Sequence, residues 1–244
     1  MTARAGVDAI LPGEEASPPG IATSPVAVGV EATPKRVFAS ALEWPGWSRA
    51  GRDEAAALAA LAALAGSVER YAVVAREAGV TFATVTRGGL SVVERLPGTP
   101  STAFGVPAVV FAVDRRPTDA ADGERLAALV RAAWTILAWV VEAAPAELRK
   151  GPRGGGRDRD AIVAHVVGAE HAYAPQIGLR LPEPDPRDGP AVAAVRAAIA
   201  EVLARPTDGG PIPGGRWPAR YAARRIAWHV LDHAWEIEDR ADPA

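Results

Sequence analysis

The four histidines of this 244-residue chain lie in two short stretches, AIVAHVVGAEHAY and RRIAWHVLDHAWEIEDR. Imidazole is the side chain that most often binds borderline divalent metals. His229 and His233 are four residues apart, so on a helix both rings leave the same face one turn apart. This spacing suits two ligands of one metal ion, and the sequence therefore indicates a metal site.

A third ligand is expected from the first stretch. His165 and His171 are separated by six residues, roughly 240° around a helix, so they cannot both face one core. His165 follows the apolar run 161–164, and we expect it to point inward, with His171 nearer the edge. Three imidazoles suit zinc, also accept nickel or iron, and leave a coordination position open as in catalytic zinc sites. The competing interpretation is that these histidines are ordinary core residues, because HxxxH also occurs in helices by chance.

The composition is that of an ordinary globular protein and excludes several classes. Hydrophobic residues make up 49% and charged residues 23%, which is normal for a soluble domain. The net charge of −2 predicts no nonspecific binding to nucleic acid or to anionic membranes. The lack of cysteine excludes disulfides, thiolate nucleophiles and Cys-containing zinc sites, and fits a cytoplasmic location. No apolar stretch approaches the roughly 20 residues of a membrane helix, so no membrane span is expected.

The pattern along the chain predicts an α+β protein with two domains after a disordered leader. The leader, residues 1–25, is rich in Pro and Gly and carries acidic residues where a signal peptide would be apolar. The front region, residues 26–116, is expected to be a small α+β domain with one long helix over about 52–77. Its predicted strands are VAVGVEA, RVFASALEW, VTFATV, LSVVERL and AVVFAV.

The helical region, residues 117–240, is predicted to contain no strand. Helices are expected over about 122–144, 158–178, 189–205 and 218–239, with Gly- and Pro-rich breaks between them. Four helices joined by loops of this size favour a four-helix bundle.

The helical region resembles the DinB/YfiT-like superfamily, which includes mycothiol-dependent maleylpyruvate isomerases. The resemblance covers 118–240 and is carried by AHVVGAEHAY on the second helix and RxxAWHVLDHAWEIEDR on the fourth. It implies a four-helix bundle, often dimeric, in which His165, His229 and His233 hold a divalent metal. It also implies thiol-dependent transfer or isomerisation, or metal-assisted hydrolysis, of a small molecule. Because the chain has no cysteine, any thiol would have to be a cosubstrate.

Three further side chains are candidates for roles around the metal. Glu170 and Asp232 are the carboxylates nearest the proposed ligands, and each could orient a ligand imidazole or act as a general base. The alternative for both is a solvated helix face. Arg225 lies four residues before His229 on the same helix face and is a candidate for binding a substrate carboxylate bidentately. The alternative for Arg225 is a pairing with an acidic neighbour.

The front region resembles the HicB-like antitoxin domain over about 36–65. The matching residues are Glu43, Pro45, Gly46, Gly51, Glu54, Ala55 and Leu58. Trp47 departs from the small residue that usually follows Pro-Gly in that family. The resemblance implies a small α+β module used for protein contact or dimerisation.

Three functions are compatible with these patterns. The preferred one is a cytoplasmic, metal-dependent transferase or hydrolase of a small molecule, with zinc the expected metal. The second is a non-catalytic metal-binding or interaction module in which Trp228 and Trp235 close the bundle over the histidines. The third is an antitoxin-like regulator that binds a partner protein tightly. A solvent-reachable cavity over the three imidazoles would favour the first over the second.

Overall fold

The computed structural model describes residues 25–66, 70–82, 89–151 and 155–241. Its strands are β1 (Val26–Ala32), β2 (Val37–Ala41), β3 (Ser48–Gly51) and β4 (Leu90–Pro97). Its helices are α1 (Glu54–Gly66), α2 (Arg70–Glu77), α3 (Pro100–Phe104), α4 (Ala120–Ala143), α5 (Arg159–Tyr173), α6 (Gly189–Leu203) and α7 (Ala219–Ala241). Short 3-10 turns follow at Ala112–Arg115 and, continuing α5, at Ala174–Ile177. The α+β class is confirmed, and α4 to α7 lie where the sequence predicts four helices.

The four strands form one mixed sheet in the order β3-β2-β1-β4. β2 is antiparallel to both β1 and β3, as expected of strands joined by short turns. β4 is parallel to β1. A parallel pair needs a long crossover connection, and here α1 and α2 lie between the two strands in sequence.

The front region differs from its sequence prediction in its helices and in one short strand. The long helix expected over 52–77 is described as two helices, α1 and α2. No strand is predicted for the segment SRAG just before that helix, but it forms β3, paired with β2. The predicted strand VTFATV extends beyond the described residues, which end at 82 and resume at 89.

The predicted strand AVVFAV is wrong, and a buried carboxylate accounts for the difference. The side chain of Glu31, fully buried on β1, accepts hydrogen bonds from the backbone N–H groups of Ala108 at 3.0 Å and Val109 at 3.1 Å. In a β-strand, successive N–H groups point to opposite edges, so two consecutive donors on one carboxylate do not fit a regular strand. With its donors bound to a side chain, the segment continues as irregular backbone into the 3-10 turn at Ala112–Arg115.

The sheet and the helices share one continuous core of buried apolar side chains. α1 packs on β2 and β3, α2 packs on α4, and α7 packs on α4, α5 and α6. The ring of Trp228 on α7 meets that of Phe38 on β2 edge to face, with centroids 5.9 Å apart. By length and composition α4 is the one helix of the described residues that could cross a membrane, and half of its most apolar stretch is buried inside the protein.

Two buried arginines tie the start of α7 to the segments before it. Arg224 binds both carboxylate oxygens of Asp114, with Nε at 2.9 Å and Nη2 at 2.6 Å, and both side chains are buried. Arg220 binds Asp122 on α4 at 2.6 Å and Glu43 at 3.2 Å. These bidentate and branched contacts fix the rotation of α7 about its axis, and therefore the direction of the residues that follow one and two turns later.

Candidate metal centre

The packing of α5 against α7 brings together the three histidines expected to form a metal site. One ring nitrogen of each of His165, His229 and His233 lies within 4.8 Å of the other two. His165 Nε2 and His229 Nε2 are 3.2 Å apart. Two nitrogens bound tetrahedrally to one zinc ion at about 2.0–2.1 Å would be about 3.3 Å apart. The spacing of this pair is therefore already that of two ligands of one ion.

The three rings differ in their exposure to solvent. His229 is only 6% exposed, because the first three turns of α7 are almost entirely buried. His165 and His233 are half-buried. On α5, the buried side chains Ile162, Val166 and Val167 flank His165 and hold that side of the helix against the core. The cluster therefore has one enclosed imidazole and two that border on solvent.

Burial keeps at least two of these imidazoles neutral. Desolvation lowers the pKa of His229 to about 2, and the charges of His233 and Arg225 act in the same direction. Desolvation also lowers the pKa of His165. Because only the neutral imidazole offers a lone pair to a metal, protons do not compete for these two rings at neutral pH.

A carboxylate that the sequence analysis missed orients His233. Nδ1 of His233 lies 2.8 Å from Oε2 of Glu236, one turn further along α7. The other oxygen of Glu236 accepts a hydrogen bond from Nη1 of Arg240 at 2.7 Å. The bond to His233 is the main cause of the lowered pKa of Glu236, so this carboxylate is ionised and Nδ1 is the protonated nitrogen. Nε2 of His233 is then left as the ligand atom, the usual arrangement of a carboxylate behind a metal-binding histidine.

Glu170, predicted to act beside the ligands, is bonded elsewhere. Its carboxylate accepts hydrogen bonds from Arg196 at 2.9 and 3.1 Å and from the indole N–H of Trp134 at 2.8 Å. Burial raises its pKa, and the charge of Arg196 opposes that shift. No hydrogen bond among the described residues links Glu170 to the histidines. Its partners lie on α4 and α6, because five residues along α5 place it well around the helix from His165.

Asp232, the other predicted carboxylate, faces the sheet side of α7. One of its oxygens lies 3.1 Å from Nη1 of Arg49 on β3. Burial raises its pKa, and Arg49 opposes the shift. Together with Trp228, Trp235 and Glu236 it lines a cavity of about 740 Å³ between α7 and the sheet.

This cavity is relevant to the choice between a metal-dependent enzyme and a module closed by Trp228 and Trp235. Trp228 and Trp235 do not close the helices over a void-free interior, since both line an open cavity. None of the three histidines lines that cavity. The cavity instead reaches the site through Glu236, which both lines it and binds His233.

Arg225 lies beside His229, as its spacing predicts. It is 8% exposed, and its guanidinium packs on two aromatic rings, with Cζ 4.8 Å from the centroids of both Tyr173 and Trp228. Tyr173 and Trp228 in turn pack on the ring of His229, with centroids 5.8 and 6.0 Å away. The alternative reading of a salt bridge with an acidic neighbour is not what the structure has, because none of the ion pairs between described residues includes Arg225.

His171 lies outside the cluster, as its position on α5 indicates. Its Nε2 is 3.0 Å from the backbone carbonyl of Leu181, to which it donates. The ring thereby holds the loop after α5 against that helix. It offers a histidine on the same helix as His165 that can be replaced without touching the three-histidine cluster.

Comparisons with protein-family models, with curated proteins and with solved structures found no match to this chain. The fold and the site define an α+β protein with three converging histidines on two packed helices, one of them oriented by a carboxylate. Function is therefore inferred from the chemistry of that site.

Proposed function

We propose that His165, His229 and His233 hold one divalent metal ion, zinc being the expected one, for transfer or hydrolysis on a small molecule. The observation that carries this proposal is the convergence of one nitrogen from each ring to within 4.8 Å. A set of three neutral nitrogen ligands suits zinc and also accepts nickel or iron.

A metal accounts for the cluster better than ordinary core packing does. Two neutral imidazoles 3.2 Å apart could share one proton in an N–H···N hydrogen bond, which would satisfy His165 and His229. That bond leaves the ligand nitrogen of His233 unexplained, although Glu236 holds this ring in place. A single ion would bind all three nitrogens, and the carboxylate of Glu236 would then orient one of its ligands.

Residues around the three histidines have distinct roles in this proposal. A metal with three protein ligands supplies, when bound, a Lewis-acid position open to a substrate oxygen or thiolate. Glu236 fixes the ring direction and the protonated nitrogen of His233. The half-buried edges of His165 and His233 provide the side from which a small molecule can approach. Tyr173, Arg225 and Trp228 form the wall on the buried side of His229.

At the level of architecture, we propose a DinB-like bundle of α4 to α7 preceded by a HicB-like front module. The support is that the three histidines come from the second and fourth of four packed helices, as the resemblance implies. A low-molecular-weight thiol cosubstrate, a homodimer and a cytoplasmic location belong to the same proposal.

Metal content tests the site directly. Tag-free protein, its His229→Ala variant and its His171→Ala variant would be purified in parallel and measured by mass spectrometry after dialysis. We expect about one equivalent of metal in the wild-type protein and in His171→Ala, and less than about a tenth of an equivalent in His229→Ala. His171 is the matched control because it is a half-buried histidine outside the cluster. Wild-type protein that stays metal-free after reconstitution with zinc, nickel or iron would overturn the proposal.

A second measurement separates catalysis from binding. Metal-loaded and metal-free protein would be screened side by side for thiol transfer and for ester and amide hydrolysis on small substrates. Turnover that depends on metal and is lost in His229→Ala supports the enzyme. Tightly bound metal without turnover across the screen would instead favour a non-catalytic metal-binding module.

A further inference from the structure

Three buried polar atoms within one turn of α7 have no hydrogen-bond partner. They are Nη1 of Arg225, Nε1 of Trp228 and Nδ1 of His229, each closed to solvent and unpaired among the described residues. Buried polar atoms without partners are rare in folded proteins and costly, because they have lost water and gained nothing in its place. Those of Arg225 and Trp228 are donors on stacked side chains, and they indicate an acceptor that binds there.

The three side chains belong to one packed group. The guanidinium of Arg225 stacks on the ring of Trp228 at 4.8 Å, and that ring packs on His229 with centroids 6.0 Å apart. Tyr173 also lies against the guanidinium, with its ring centroid 4.8 Å from Cζ, and its hydroxyl is hydrogen-bonded to Arg225. Ring faces stabilise a cation by attraction to their π electrons, but they do not accept the in-plane N–H bonds of Arg225. Nη1 of Arg225 and Nε1 of Trp228 therefore still lack an acceptor.

Arg225 also differs from the neighbouring arginines of α7 in its ion pairing. The other two buried arginines of α7 each bind carboxylates, Arg220 at Asp122 and Arg224 at Asp114. In the part of the chain that the structure describes, no ion pair includes Arg225, although it is as buried as they are. A buried charge is normally paired, since the interior solvates it poorly.

We propose that Arg225 and Trp228 form a subsite for the carboxylate of the substrate, next to His229, so that the substrate is a small organic monocarboxylate. One guanidinium matches one negative charge, whereas a phosphate dianion would bring a second charge that no buried cation of this group balances. That the bound molecule is the substrate depends on the proposed function. The binding of a carboxylate here does not.

The subsite borders on the cavity between α7 and the sheet. Trp228 is one of the walls of that cavity, which has a volume of about 740 Å³. The unpaired atoms are covered in the present conformation. An entering carboxylate therefore has to displace the Trp228 ring or swing the guanidinium off one of its two rings.

The indole N–H resonance of Trp228 reports on this subsite without any assay of activity. Nitrogen-15-labelled protein would be titrated with sodium acetate at constant ionic strength, with acetamide as the neutral analogue of similar size. The Trp228→Phe variant assigns the resonance. We expect a saturable downfield shift of the Trp228 indole proton with acetate and no response to acetamide. Trp47 serves as the internal control, because it lies outside that cavity and its indole N–H already donates to the backbone carbonyl of Leu61 at 3.0 Å.

Variants locate the acceptor at Arg225. We expect Arg225→Gln to weaken acetate binding at least about tenfold, since charge-assisted bonds are the strong ones. Arg225→Lys keeps the charge and loses the planar fork, so its affinity for acetate should lie between those of the wild type and Arg225→Gln. If Arg225→Gln does not fold, Arg225→Lys takes its place in the experiment. Arg187→Gln is the matched control, because Arg187 is exposed and pairs with Asp185. Its affinity should equal that of the wild type.

Other outcomes overturn the subsite. A linear, unsaturable drift of several indole resonances would mean nonspecific ion binding only, and a response to phosphate but not to acetate would exclude the monocarboxylate. The titration is run on zinc-loaded and on metal-free protein. Acetate binding by a protein that takes up no metal supports the subsite and refutes the proposed metal chemistry. A metal-loaded protein whose Trp228 resonance stays silent overturns the subsite and leaves the metal site intact.

Discussion

Replacing Glu236 tests whether the carboxylate behind His233 contributes to metal binding. The Glu236→Ala variant removes the acceptor that lies 2.8 Å from Nδ1 of His233. Losing such an outer partner typically lowers metal affinity 10–100-fold. Two features of this site set the value within that range. Water can replace part of the lost bond, because the His233 side chain is 14% exposed. The guanidinium of Arg240, which bonds to Glu236 at 2.7 Å, loses its counterion and adds repulsion of the metal.

These opposing effects lead us to expect zinc to bind about 30-fold more weakly, about 2 kcal/mol, in Glu236→Ala. Affinity would be measured by competition with a chromophoric chelator. Glu236→Gln keeps an oxygen that can accept from His233 and should lose less than the alanine variant.

The control for this experiment is Glu238→Ala. Glu238 lies on the same helix, pairs with Arg70 at 3.0 Å and is about half exposed. It should bind zinc like the wild type. The reasoning is refuted if Glu236→Ala binds zinc within about twofold of the wild-type affinity, or if Glu238→Ala loses as much.

Three further predictions concern stability, each measured by urea unfolding. Asp114→Asn leaves the buried guanidinium of Arg224 without its carboxylate and should lower the free energy of unfolding by about 3–5 kcal/mol. Adding Arg224→Met should recover much of that loss, and a double variant no more stable than Asp114→Asn alone would contradict this. In metal-free protein the unfolded chain takes up a proton on His229 below about pH 6.5 while the folded chain, with a pKa of about 2, does not. Stability should therefore fall by up to about 1.4 kcal/mol per pH unit between pH 6.5 and 4.5, and His229→Gln should flatten that slope. Gly46→Ala should destabilise by at least about 1 kcal/mol, because Gly46 has a φ of 92° and an added Cβ would lie 2.5 Å from Leu231 Cδ1.

Much of the candidate site could be predicted because helix geometry alone relates its parts. His229, His233 and Arg225 share a face through four-residue spacings, and α7 is regular over its whole length. His165 was placed inward from the apolar run before it, and its Nε2 does meet that of His229. Glu236 had the same kind of signal, three residues after His233. Nearness in sequence favours Glu170 and Asp232, which adjoin His171 and His233, but it does not identify the carboxylate that bonds to an imidazole.

What could not be predicted depends on contacts between distant parts of the chain. Glu170 is bound by Arg196, 26 residues later, and by Trp134, 36 residues earlier. No local sequence pattern predicts either partner. The segment AVVFAV has the composition of a strand, yet Glu31 takes two of its backbone donors across 77 and 78 residues. The strand β3 is short and polar, and its pairing with β2 decides its conformation.

The position of α7 has a consequence for how this protein is made. Of the described elements, α7 leaves the ribosome last, yet it supplies two of the three histidines, the counterion of buried Asp114 and the ring that covers Phe38. Until it emerges, Phe38 lacks the ring that covers it and Asp114 lacks its arginine. Pairing of Asp114 and assembly of the three-histidine cluster are therefore both delayed to the same late moment of synthesis, and a ribosome stalled before residue 219 would hold a chain that can complete neither.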